Sequence, residues 1–269
     1  MVAIYPAAGD LPENLLRLYV QFSLPMSQGD AYRHVHLRNE TTGAEVERPF
    51  LELPQELWSP DGTRLTLLLE PGRVKSGLVP REELGPILVS GHKYSMTVDE
   101  SWPDAEGRPL AESYRKTFQG VKAETRQLDS RSWIVESPRE GSREPLSIRF
   151  PRPLDHALLE RVLRVEPAVT LTASATGATQ LAGEIQIVDG EKCWKFEPRD
   201  PWVAGRYALL VSKNLEDPSG NSLGRPFEVD LKESPALPSV PAVIRLNFAV
   251  RKTPAPKAPV APLLGLEHK

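Results

Sequence analysis

Hydrophobic residues make up 40% of the 269-residue chain and charged residues 26%, which is typical of a soluble globular protein and argues against a disordered one. The formal net charge of −3 at pH 7 gives no basis for binding nucleic acid or an anionic membrane surface. No apolar run approaches the roughly 20 residues that a membrane-spanning helix requires. We therefore expect neither a nucleic-acid partner nor a transmembrane segment.

The first half of the chain alternates apolar and polar residues in the manner of β-strands. Apolar side chains fall at every second position from Leu16 to Phe22 and from Tyr94 to Val98. The 27 prolines and 18 glycines divide the chain into short segments, which suits strands joined by turns. Three stretches have helical character, and the last is expected to be one helical turn running into a strand: 12–19, 80–85 and 155–165.

The second half of the chain repeats the plan of the first. Phe150 corresponds to Phe22, and Tyr207 corresponds to Tyr94. Roughly seven short strands in each copy of roughly 100 to 120 residues match the size of an Ig-like sandwich. The sequence therefore predicts an all-β chain of two tandem Ig-like β-sandwich domains. The predicted boundaries are 1–120 for the first domain, 130–232 for the second, a junction near 119–130 between them, and 233–269 for an extra strand and a Pro-rich tail.

A turn phrase recurs near the end of each copy, as DAEGR from Asp104 and as DPSGN from Asp217. Aspartate can cap its own turn by accepting backbone N–H groups, and glycine supplies a positive φ. Each phrase is predicted to be the hairpin loop between the last two strands of its domain. The run at 243–250 could add an edge strand to one sandwich, and the Pro-rich segment 252–265 is expected to be an extended tether.

Several short motifs together resemble bacterial Ig-like domains of the surface-layer (SbsA) type. The residues that match are Phe22, Ser23, Pro25 and Met26 in the first copy and Tyr207, Asp217, Gly220, Asn221, Leu223 and Phe227 in the second. The resemblance implies a non-enzymatic module for protein interaction, adhesion or spacing, without a cofactor. It also implies an extracytoplasmic location, on the assumption that a leader has been removed, and a protein or an envelope polysaccharide as partner.

An insertion near 72–90 distinguishes the first copy from the second. It carries Arg73, Arg81 and Glu82 among apolar residues, which makes these three side chains candidates for ligand binding. Long loops on a rigid sandwich often carry function. The same segment could equally pack against the second domain as a structural wedge, and the sequence leaves both alternatives open.

Three tryptophans, Trp58, Trp102 and Trp202, lie near prolines in predicted loops. Exposed loop tryptophans can stack on sugar rings, so they are candidates for a carbohydrate-binding role, which is the alternative function. The favoured interpretation is that they close the ends of the sandwiches.

The remaining motifs are weaker. The GNSLG run around Ser222 matches a hydrolase nucleophile motif but lies in a predicted β-hairpin, so no catalytic residue is expected. His34 and His36 would share one face of a strand, yet no further metal ligand is evident, and the acidic residues of the turn phrases are too few for calcium. Cys193 is the only cysteine and is expected to be an inert buried or edge thiol.

Overall fold

The computed structural model describes residues 2–74, 79–168, 180–227 and 241–252. Its strands are β1 (Val2–Tyr5), β2 (Asp10–Pro12), β3 (Arg17–Phe22), β4 (Val35–Asn39), β5 (Ala44–Glu45), β6 (Leu57–Trp58), β7 (Arg64–Leu68), β8 (Lys93–Val98), β9 (Tyr114–Val121), β10 (Ile134–Glu136), β11 (Leu146–Arg149), β12 (Leu163–Pro167), β13 (Gly183–Val188), β14 (Cys193–Pro198), β15 (Gly205–Ser212) and β16 (Val243–Val250). Short helices are α1 (Pro71–Val74), α2 (Val79–Leu84) and α3 (His156–Leu159), with 3₁₀ turns at Ala31–Arg33 and Ser130–Ser132. None of the helices in these ranges has the length and hydrophobicity needed to cross a membrane.

The first sandwich consists of a four-stranded sheet in the order β1-β3-β7-β6 and a five-stranded sheet in the order β2-β9-β8-β4-β5. The alternation predicted around β3 is confirmed, because Leu18, Val20 and Phe22 are buried. They share one hydrophobic core with Met96 and Val98 of the other sheet. Burial of alternate side chains from two facing sheets is the defining feature of a β-sandwich.

The insertion of the first copy folds into α1 and α2, in agreement with the helical character predicted for 80–85. Its apolar residues Val74, Ile87 and Leu88 are buried in the core of the first sandwich. The insertion therefore forms part of the first sandwich.

The second sandwich consists of the sheets β10-β11-β14-β13 and β12-β15-β16. Its four-stranded sheet corresponds strand for strand to β1-β3-β7-β6, and β12-β15-β16 corresponds to β4-β8-β9. Ile148, Phe196, Leu209 and Phe248 are among the side chains of its separate hydrophobic core. The chain is all-β, with two tandem Ig-like sandwiches.

Two of the stretches with predicted helical character, 155–165 and 12–19, have different conformations. The stretch 155–165 is one turn of helix followed by a strand, as predicted, because Asp155 accepts the Leu158 N–H at 2.9 Å and caps α3. The stretch 12–19 is not helical, since β3 begins at Arg17.

At the edge of the second sheet β16 pairs with β15 along eight residues, as the edge-strand prediction for 243–250 proposed, and β12 pairs with the other side of β15. The strand predicted to follow the Asp217 turn within 130–232 falls largely on residues 228–232, which lie outside the described residues, so that hairpin stays a prediction. Tyr207 faces Phe248 across β15 and β16, just as Tyr94 faces Phe118 across β8 and β9. The two aromatic pairs stack at 5.5 Å and 5.6 Å between ring centroids.

Candidate functional site

The two sandwiches meet along the outer face of β3, where polar side chains of the second sandwich bond to Arg17 and Tyr19. Tyr19 is buried and its hydroxyl donates to Asp155 Oδ2 at 2.7 Å. Arg17 lies 3.4 Å from the same carboxylate and also pairs with Glu216. Burial raises the pKa of Tyr19, and the charge of Asp155 adds to the effect, so the hydroxyl stays protonated and able to donate.

A second contact is built on Glu191, whose side chain is only 1% exposed. Both of its carboxylate oxygens lie 2.8 Å from the Ala7 nitrogen, and the Ala8 nitrogen lies 3.3 Å from Oε2. Nδ1 of His156 lies 3.2 Å from Glu191 Oε1. On the other side of the same segment, Lys116 Nζ donates to the carbonyls of Ala7 and Ala8 at 3.0 Å and 3.1 Å. The Glu191 carboxylate of the second sandwich and the Lys116 ammonium group of the first thus bind the same backbone segment, Ala7 and Ala8.

The β13–β14 hairpin adopts an uncommon backbone conformation to bring Glu191 to this position. Asp189, Gly190 and Glu191 all have positive φ, at 56°, 59° and 60°. A non-glycine residue in the left-handed region is disfavoured, and such residues persist where the surroundings hold them. A Cβ on Gly190 would lie 3.0 Å from the Ala8 Cα, so glycine permits the close approach of the two backbones.

The Asp217 turn forms the third contact. Asp217 Oδ1 accepts the backbone N–H groups of Ser219 at 3.0 Å and Asn221 at 2.9 Å, which confirms the predicted turn-capping role. Asp104 does the same for Glu106 and Arg108.

The Asp217 turn also docks on the first sandwich. The Ser219 hydroxyl donates to Asn14 Oδ1 at 2.8 Å, and the Leu16 N–H donates to the Pro218 carbonyl at 3.0 Å. Asn14 and Asn221 both donate to the Glu124 carbonyl from opposite sandwiches, at 2.9 Å and 2.8 Å. The turn therefore serves the junction as well as its own hairpin.

A cleft of about 480 Å³ opens beside these contacts, between the 7–12 segment and the residues around Arg152 and Asp217. Clefts of this size at domain interfaces are common ligand sites. Arg152 lies 3.2 Å from Glu124 in the segment between the sandwiches and 2.9 Å from Asp217 of its own sandwich, so its charge is paired with both carboxylates. Burial raises the pKa of Asp217 despite its bonds to Asn221 and Arg152, whereas hydrogen bonds from the Arg126 side chain lower the pKa of Glu124 to about 2.

The insertion residues proposed for ligand binding have different environments. Arg73 is 4% exposed and donates to backbone carbonyls, including Gly85 at 2.9 Å, Glu47 and Arg48. Arg81 donates to the carbonyls of Arg73 and Val74 at 3.0 Å and 2.8 Å, at the end of α1. Glu82 is exposed. The two arginines therefore hold the insertion in shape.

The three candidate tryptophans also differ. Trp102 is 0% exposed and Trp202 is 3% exposed, and their indole N–H groups donate to backbone carbonyls of Ser27 and Glu144. Neither ring has a face open to a sugar, and both fill the sandwich interiors. Trp58 is only partly buried and lines a surface groove, so it is the one member of the set that solvent reaches.

His34 and His36, the two histidines weighed as metal ligands, both contact side chains of the first sandwich. The His34 ring stacks on Trp102 at 5.2 Å, whereas the two ring nitrogens of His36 lie 3.1 Å from Glu45 and 3.0 Å from Asp99. Partial burial lowers the pKa of His36, but the hydrogen bonds to Asp99 and Glu45 outweigh it and raise the pKa above its ordinary value.

No group of three or more His, Cys, Asp and Glu side chains within the described ranges is arranged to hold a metal ion. The Ser222 hydroxyl accepts the N–H groups of Gly224 and Arg225 within its own turn, at 3.2 Å and 3.0 Å. Cys193 is buried, and this burial raises the pKa of its thiol.

No protein-family model and no curated protein sequence matches the chain. Among solved structures it is similar to a part of native alpha-2-macroglobulin from Escherichia coli that spans domains MG0-NIE-MG1, at 11% identity over 93% of this chain and 70% of that one, with a TM-score of 0.28. It is also similar to the N-terminal part of the bacterial S-layer protein SbsC, at 10% identity over 73% of this chain and 38% of that one, with a TM-score of 0.29. A third similarity is to murine CEACAM1b, at 12% identity over 79% and 92% of the two chains, with a TM-score of 0.18. At these scores the similarities carry no argument, and the fold assignment depends on the strands and cores described above.

Proposed function

We propose that the chain is a non-enzymatic module of the bacterial cell envelope or the secreted fraction that spaces or binds a partner, either a protein or an envelope polysaccharide. The observation that supports this is the junction, where buried side chains of both sandwiches bond to one another. Domains in one chain move relative to each other unless their interface resists it. Buried contacts such as Tyr19 to Asp155 give that resistance, and a rigid pair of sandwiches can hold two surfaces at a fixed separation.

The proposal includes an origin by tandem duplication of a surface-layer type domain. The shared strand order of the two sandwiches and the matched aromatic pairs, Tyr94 with Phe118 and Tyr207 with Phe248, support it. With β16 paired along β15, the second domain is proposed to extend from 130 to at least Val250.

A second candidate function is carbohydrate binding, and one observation favours it. Trp58 keeps an accessible ring in a groove of the first sandwich, beside side-chain amides.

Fractionation of the source cells, with an antibody raised against the purified chain, tests the proposed function. We expect the chain in the envelope fraction or the culture fluid, separated from a cytoplasmic marker enzyme. Recovery with the cytoplasmic marker would overturn the proposal.

Small-angle scattering tests the rigid junction. The maximum dimension of the intact chain should stay the same at every salt concentration. A Tyr19→Phe and Glu191→Ala double variant should give a broader distance distribution. If the two proteins scatter identically, the junction is not what holds the sandwiches in place.

A further inference from the structure

A groove of about 430 Å³ on the first sandwich, here called the Trp58 groove, follows the edge strand β6. It is lined by Gln28, Gly29, Pro54, Gln55, Glu56, Trp58, Ser59 and Pro60. Two chain segments form its walls, one between β3 and β4 and one around β6. It lies within the size range of small-ligand sites.

The ring of Trp58 has a fixed orientation. Its indole N–H donates to Glu56 Oε2 at 2.7 Å, and its ring contacts Trp102 edge-on at 5.9 Å and Phe22 at 6.1 Å. Glu56 is held in turn by the backbone N–H groups of Gly29 at 2.9 Å and Ala31 at 2.7 Å. The aromatic surface is therefore in place before any ligand arrives, which reduces the entropy lost on binding.

The polar groups of the groove indicate the chemistry of the ligand. Among the described residues that line the groove, Glu56 is the only ionisable one, and both its oxygens already accept N–H groups. Gln28 and Gln55 are exposed, and neither side-chain amide makes a hydrogen bond within the described part of the chain. Each amide offers a donor group and an acceptor group, as sugar hydroxyls require.

We infer that the Trp58 groove binds a neutral pyranose ring of a polysaccharide. The apolar C–H face of the sugar packs on the indole, and the sugar hydroxyls bond to the amides of Gln28 and Gln55. A charged sugar is disfavoured because the groove holds no free counter-charge. The inference rests on the proposed binding role and names its ligand class. One ring on one aromatic platform predicts weak binding, in the millimolar range.

Titration of the full chain, followed by the indole N–H signals of its five tryptophans in NMR spectra, tests the inference. The probes are cellopentaose and chitopentaose, whose β-linked rings present flat C–H faces. The Trp58 signal is assigned as the one absent from the Trp58→Ala variant, and persistence of the other four signals shows that the variant is folded. We expect the Trp58 signal to shift with at least one probe. In both proteins the backbone amide signals of Gln28 and Gln55 report binding at the groove, and we expect them to shift in the intact chain and to stay unchanged in the Trp58→Ala variant.

Gln55→Ala changes an exposed side chain and should weaken binding roughly two- to tenfold, the effect of losing one hydrogen bond. Gln186→Ala, an exposed glutamine on β13 of the second sandwich, is the matched control and should leave binding unchanged. The inference is overturned if neither probe moves the Trp58 signal, or if Trp58→Ala binds as well as the intact chain. Cell fractionation does not depend on this titration, so the proposed function and the saccharide site can fail separately.

Discussion

The carboxylate of Glu191 in the second sandwich accepts the backbone N–H of Ala7 in the first, with both oxygens 2.8 Å from the nitrogen. We expect Glu191→Ala to lower the free energy of unfolding by about 2 to 4 kcal/mol, because it leaves buried donors without an acceptor. Urea denaturation of the full chain measures the change.

The control for this prediction is Glu197→Ala, which removes a partly exposed glutamate of the same sandwich that pairs with Arg143. Exposed ion pairs contribute about 0 to 1 kcal/mol, so this variant should remain close to the intact chain. If both variants lose the same amount of unfolding free energy, the prediction that Glu191 stabilises the junction is wrong.

Tyr19→Phe removes one hydroxyl from the junction and keeps the ring. Asp155 loses a donor at 2.7 Å but still caps α3 through its other oxygen. We expect a loss of about 1.5 to 3 kcal/mol in unfolding free energy, as for a buried hydrogen bond to a charged group. Tyr114→Phe, at a partly buried tyrosine whose hydroxyl has no hydrogen bond within the described residues, should change little.

Arg73→Lys tests the structural role of the insertion. A lysine ammonium cannot reproduce the fork with which the guanidinium contacts several carbonyls, so we expect a loss of about 2 to 3 kcal/mol despite the retained charge. Glu82→Ala, at the exposed face of the same insertion, should stay within about 0.5 kcal/mol of the intact chain. A stable Arg73→Lys variant would return Arg73 to the list of ligand-binding candidates.

Phe248→Ala tests whether β16 completes the second sandwich. Phe248 is 8% exposed and stacks on Tyr207, so its truncation should cost about 3 to 5 kcal/mol. Asn247→Ala changes the neighbouring exposed side chain and should be nearly neutral. Thermal unfolding followed by calorimetry distinguishes the two, and similar melting temperatures would argue against β16 as a core strand.

The acid stability of the chain should depend on Glu124. Its pKa is about 2 in the folded chain, below its ordinary value of 4.5, because the Arg126 side chain donates hydrogen bonds to it. A carboxyl with a lowered folded pKa stabilises the protein above its unfolded pKa, and this contribution disappears as the pH falls from about 4.5 towards 2. We expect Glu124→Gln to reduce the pH dependence of the unfolding free energy in that window.

Glu112→Gln is the control for the acid experiment, since Glu112 is exposed and makes no ion pair within the described residues. Urea denaturation at several pH values should show that the unfolding free energy of this variant changes with pH in the same way as that of the intact chain. If the unfolding free energy of Glu124→Gln falls as steeply with pH as that of the intact chain, the acid sensitivity does not come from Glu124.

Strands and turns were accessible from the sequence because they follow from local patterns. The period-two alternation around β3 located a strand, and the Asp-to-Gly spacing at Asp104 and Asp217 located two capped turns. These signals depend only on neighbours along the chain.

The junction could not be predicted in this way. Glu191 and Ala7 are 184 positions apart, and no local pattern distinguishes Glu191 from other glutamates. Trp102 and Trp202 resemble Trp58 in sequence, each near a proline, yet the first two are buried and Trp58 is only partly buried. Burial depends on how sheets pack, which the spacing of residues does not encode.

The late position of β16 in the chain affects the order in which the molecule can assemble during synthesis. Val121, the last residue of the first sandwich's sheets, emerges from the ribosome 129 residues before Val250, where β16 ends. The first sandwich can therefore fold early, whereas the edge of β15 that pairs with β16 stays unpaired until β16 has been synthesised. Until then the apolar face beside Tyr207 stays open to solvent, and a nascent chain with an uncovered strand edge is prone to wrong pairing. The second sandwich therefore completes its core only after β16 has been made.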